Sequence, residues 1–164
     1  MSIGVSGIIK LKKYSVSNAV ELSYEISRLA TIYKIGFKMG GNVSEEVYEI
    51  YKDELTSESI MFEFMDTPLD NYAGELFQPT IGKDTDYEKE FRKIMINNLN
   101  KIVELFRIML DNEIIDVIDL DINYLFKELN DRKELSIGEM NDYILKEYQK
   151  SNYCVPTLSI RIKK

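Results

Sequence analysis

Apolar and polar positions along this chain follow two rhythms, and each rhythm predicts an element. Residues 5–14 keep a two-residue period, Ile9 and Leu11 against Lys10 and Lys12, which predicts a strand. From Ser17, a plausible N-cap with Glu21 near the first turn, the spacing lengthens. Ala19, Leu22, Ile26, Leu29 and Tyr33 form one helical stripe. Gly36 is a natural left-handed stop, and Phe37–Asn42, with Gly40-Gly41-Asn42, reads as a turn. Residues 43–54 fit either a short helix capped by Ser44 or a strand through Val47–Tyr51; the helix is preferred. Ser59–Met65 alternates again and predicts a strand.

Residues 66–86 lose both rhythms. They hold two of the three prolines, Pro68 and Pro79, with Gly74 and Gly82, and read as a long loop. Residues 86–111 predict the principal helix. One apolar row runs Phe91, Met95, Ile102, Leu105 and Met109, with Asn98 set into it. A second runs Ile96, Leu99, Val103, Phe106 and Leu110, so a wide face should be buried.

Residues 113–119 suggest a single helical turn, and Asp121 a cap for a helix over 122–130. Ser136 and Glu139 have capping-box spacing and open a helix to about Lys150. Residues 157–163 alternate strictly and predict a last strand.

These elements predict one α+β domain over residues 1–164. The sheet should be small and mainly antiparallel and include both terminal strands. About four helices should pack on one face around the long central helix. Each terminal strand has an apolar face and a basic one. If the two pair, their lysines and arginine share one side of the sheet.

Composition changes the picture chiefly by what it lacks. The chain has no histidine and one cysteine, Cys154. That removes the usual general base, the Ser-His and Cys-His nucleophile pairs, and the ordinary zinc ligand sets. It also excludes an internal disulfide and fits a reducing compartment. No signal-peptide order of charges and no transmembrane run is present, so a cytoplasmic location without membrane insertion is expected.

The net charge of −7 is unevenly spread. Residues 1–43 carry six basic and two acidic side chains, and residues 149–164 carry four basic and none acidic. The middle 105 residues hold eleven basic and 26 acidic ones. Such a surface attracts cationic partners and repels phosphate backbones.

The expected function is therefore that of a small acidic protein-binding module without catalysis. Its kind would be an inhibitor, immunity protein or antitoxin that neutralises a basic partner such as a toxin or nuclease. The residues expected to make contact are Asp66, Asp70, Tyr72, Glu75 and Phe77, which combine charge with rings in the long loop. Neither a metal nor another cofactor is expected. Asp119-Leu120-Asp121, with Asp116 nearby, is the one acidic motif resembling a metal site, and its spacing is not that of a calcium loop.

Three alternatives remain: a DNA-binding regulator using the basic C-terminal segment, a Mg²⁺-dependent enzyme using Asp116, Asp119 and Asp121, and a structural or assembly subunit. The period-two pattern of residues 157–163 argues against a DNA-reading helix there.

Overall fold

Ile118, Leu120 and Ile122 turn one way and Asp119 and Asp121 the other, and around this strand the molecule is built. The computed structural model describes residues 5–65, 86–122, 131–150 and 157–164. In chain order the elements are β1 (Val5–Leu11), α1 (Val16–Tyr33), β2 (Gly36–Met39), α2 (Glu45–Tyr51), β3 (Ser59–Met65), α3 (Asp86–Asp111), β4 (Ile115–Ile122), β5 (Lys133–Ser136), α4 (Ile137–Lys150) and β6 (Leu158–Lys163). Among the described residues this is an α+β fold with four α-helices and one mixed six-stranded sheet, ordered β2-β3-β1-β4-β6-β5. Every pairing is antiparallel except β5 with β6. β6 follows β4 and β5 in sequence but lies between them in the sheet.

The expected terminal strands are both present, although they do not pair with each other; they flank β4 on either side. Period two sorts each strand. Val5, Ile9, Phe62, Phe64, Ile118, Leu120, Ile160 and Ile162 face the main core with α1, α3 and α4. From α3, Leu99, Ile102, Val103, Leu105, Phe106, Met109 and Leu110 are buried there, as the two apolar rows predict. Ile96 is exposed instead. The side chains of Phe91, Met95 and Asn98 lie outside the description.

The helices do not all share one face. α2 sits on the opposite side, where Val47 and Tyr51 pack on Ile8 and Met61. The expectation fails because β1 and β3 each place an apolar side chain on their otherwise polar face, and a short amphipathic helix covers them.

Several boundaries also differ from expectation. Ser15, not Ser17, caps α1, accepting the Asn18 N–H at 3.1 Å. α1 stops at Lys34, which takes the left-handed conformation (φ 55°), two residues before Gly36. Residues 36–39 form a strand rather than a turn, because Phe37 stacks on Phe62 at 5.4 Å and meets Phe64 edge-on at 5.2 Å. Residues 115–122 form a strand, not a helical turn, and Asp121 lies inside it; the rest of the helix expected over 122–130 falls outside the described residues. The Ser136–Glu139 box is present: Ser136 N–H donates to Glu139 Oε2 at 2.9 Å.

Gly7 is required at the crossing of β1 and β4. A Cβ there would run into the Asp119 carbonyl oxygen and come within 2.8 Å of the Phe62 ring.

Candidate functional site

The sheet face opposite the main core holds a buried ion network. Asp119 and Asp121 are fully buried. Their register positions put Asp119 between Ile8 and Arg161, and Asp121 between Ser6 and Ser159. Arg161 donates to both Asp119 oxygens, at 2.7 and 3.0 Å. Lys10 and Arg132 approach the same carboxylate at 3.6 and 3.7 Å. The basic faces of the two terminal strands thus share one side, with β4 as the acid between them.

Asp121 accepts from the Tyr51 hydroxyl at 2.6 Å, from Arg132 at 3.3 Å, and from Ser159. Arg132 also makes a two-pronged pair with Glu54, both bonds 3.0 Å, while its buried Nε has no hydrogen-bond partner among the described residues. Burial alone would lower the Arg132 pKa. The Glu54 hydrogen bonds and the Asp121 and Asp119 charges outweigh burial and raise it instead. Tyr51 is driven well above the ordinary phenol range, first by burial and then by Asp121.

Each carboxylate oxygen of Asp119 and Asp121 already faces a protein donor. Asp116 is exposed and separate, so the three aspartates do not converge. Among the described residues, no group of three or more Cys, Asp and Glu side chains is placed to hold a metal. The arrangement does mechanical work: it locks β1, β4 and β6 side by side and ties the entry of β5 to Glu54, just after α2.

It also mounts α2. Tyr51 anchors the inner side of that helix to Asp121 and, at 2.9 Å, to Ser6. Its N-terminus is fixed by Ser44, whose hydroxyl accepts from Val47 N–H at 3.3 Å. The buried Glu63 in turn takes the Ser44 N–H at 3.0 Å and the Ser44 hydroxyl at 2.8 Å.

The outer side of this anchored helix is acidic. Glu45, Glu46 and Glu49 are exposed on it, exposed Asp53 follows just past its end, and Lys52 at its C-cap lies 2.6 Å from Glu49. Tyr48 lies within this group and is 46% exposed. Glu45 and Glu46 also complement the positive end of the helix; Glu49 and Asp53 lie beyond its first turn.

The five residues expected to bind a partner, Asp66, Asp70, Tyr72, Glu75 and Phe77, lie outside the described residues, as does Cys154. The acidic face of α2 is what sequence reasoning missed. Its signal was legible: acids at 45, 46, 49 and 53, opposite Val47 and Tyr51. Tyr24 is 77% exposed on α1.

No helix of the described residues is long and apolar enough to cross a membrane. No protein-family model, curated protein or solved structure matches this chain.

Proposed function

We propose that this protein is an acidic, non-catalytic binding module that neutralises a basic protein partner, in the manner of an inhibitor, immunity protein or antitoxin, and acts in the cytoplasm. The observation that carries this reading is the outer face of α2, where three acids, Glu45, Glu46 and Glu49, and the exposed Tyr48 ring share one anchored helix, with Asp53 just past its end. Acids in this arrangement steer a cationic partner, and an exposed tyrosine supplies contact area at low entropic cost. Asp66, Asp70, Tyr72, Glu75 and Phe77 follow β3 in the chain and belong to the same proposal.

The DNA-binding alternative finds less support. Arg161 of β6 is held by the buried Asp119, and the segment is a sheet strand between β4 and β5 rather than a helix free to enter a groove.

The test is affinity capture from the source organism on immobilised full-length protein, in low and in high salt. It is run in parallel with a Glu45→Gln, Glu49→Gln, Asp53→Asn variant. The expected result is a basic partner lost both in high salt and with the variant. Capture of nothing, or of an acidic partner indifferent to salt and to the variant, refutes the reading.

A further inference from the structure

A second acidic feature lies on the other side of the sheet. A groove of about 250 Å³ opens between α1 and the end of α3. Leu22, Ile26, Leu29 and Met109 form its apolar floor; Glu25 and Asp111 stand on its rim. Pockets for drug-sized ligands run from about 300 to 1,000 Å³. This one is smaller, suited to one long side chain.

Its electrostatics select the side chain. α3 has 26 residues, ends at Asp111, and has no basic residue in its last turn. The carbonyl end of a helix carries partial negative charge, so a carboxylate there adds like charge to like. A local choice that opposes the fold in this way is the kind found at functional positions. Cations of the chain itself already gather at the rim: Lys164 Nζ is 3.2 Å from Asp111, and Arg28 is 3.4 Å from Glu25. All four partners are more than half exposed, so these pairs hold weakly and can be displaced.

We infer that the groove is a socket for one arginine or lysine side chain of a protein partner. Its methylenes lie on Leu22, Ile26 and Met109, and its charged head sits between Glu25, Asp111 and the carbonyl end of α3. Long basic side chains divide in this way, stem on apolar surface and head in polar surroundings. The inference rests on the reading of a basic partner and extends it to a second contact, on the sheet face opposite α2.

The experiment is a methyl NMR titration of the full-length protein, following Leu22, Leu29, Ile108 and Met109. The probe is n-butylguanidinium chloride, with the uncharged n-butylurea as its control. Saturable shifts confined to these methyls are expected, with the cation bound about tenfold more tightly than the urea. The Glu25→Gln, Asp111→Asn double variant should bring the two probes level, and circular dichroism should show its fold unchanged. Absence of saturable shifts, equal binding of both probes by the parent protein, or full affinity in the variant overturns the socket.

This outcome separates from that of the preceding proposal. A basic partner captured equally by parent and double variant leaves that proposal standing without the socket. Selective guanidinium binding without any captured partner removes the proposal and keeps a cation site.

Discussion

Arg132 offers the sharpest test of how the molecule is held together. Replacing it with methionine keeps most of the side-chain volume and deletes the charge. Arg132 Nη2 lies 3.0 Å from Glu54 and 3.3 Å from Asp121, and Nη1 lies 3.7 Å from Asp119. Only a tenth of the Arg132 side chain is exposed, and the two aspartates not at all. Deleting one member of a buried pair typically costs about 3–5 kcal/mol, because the other charge stays behind without its partner.

Two features temper that figure here. Glu54 is 24% exposed and can turn to water, and Asp119 keeps Arg161. A loss of about 3 kcal/mol is expected, taken mainly by Asp121. For a domain of this size that lowers Tm by roughly 6–12 °C. Urea unfolding measures the free energy directly, and the slope should not change. The loss should persist in 1 M salt, since buried pairs are little screened. The second variant, Asp121→Asn with Arg132→Met, should recover a substantial part of the loss. Lys163→Met, at an exposed pair with Glu134, should cost less than about 0.5 kcal/mol. A loss below about 1 kcal/mol for Arg132→Met, or one abolished by salt, would show that the network is a screened surface cluster and refute the argument.

Three further outcomes are expected. Gly7→Ala should cost at least the roughly 1–3 kcal/mol of an overpacked core, since the nearest obstacle is backbone, and urea unfolding will show it. Lys34→Gly should stabilise by up to about 1 kcal/mol in the same assay, because glycine takes the left-handed cap without steric cost. Stability should fall as pH rises above 10, the unfolded tyrosine value. Burial raises the folded pKa of Tyr148, and burial with Asp121 raises that of Tyr51, so the unfolded chain loses those protons first. Each such tyrosine steepens the fall by about 1.4 kcal/mol per pH unit. Tyr148→Phe should make the alkaline limb shallower, read from unfolding midpoints between pH 9 and 12.

Where one force governed an element, the sequence disclosed it. The buried rows of α3, the alternation of β3 and β6, and the Ser44 and Ser136 starts all follow from local spacing. Errors arose where partners distant in sequence decided. Residues 36–39 carry glycine signals of a turn, but Phe37 is drawn into the ring cluster of β3. Ile118-Asp119-Leu120-Asp121-Ile122 alternates strictly, yet its acids suggested a helix cap. Their burial is intelligible only once Lys10, Arg132 and Arg161 arrive from three other segments. No local pattern announces that. The acidic face of α2 was legible in the spacing of its glutamates, and was passed over because residues 43–54 fitted two secondary structures.

The placement of β6 has a consequence for how the molecule is made. It is the latest of the strands in chain order, yet it fills a vacancy two earlier ones have kept open. Without it, β4 and β5 each lack the strand they bond to on that side, and Ile118, Leu120 and Leu135 lose the neighbours Ile160 and Ile162. Closure joins segments far apart along the polypeptide, which is slow, and meanwhile the gap would accept any extended stretch of like pattern. The same six residues from a neighbouring copy satisfy that description. The hazard of misassembly is therefore concentrated at one seam and in one interval, and the aspartates that greet Ser159 and Arg161 reward the correct insertion over a merely greasy one.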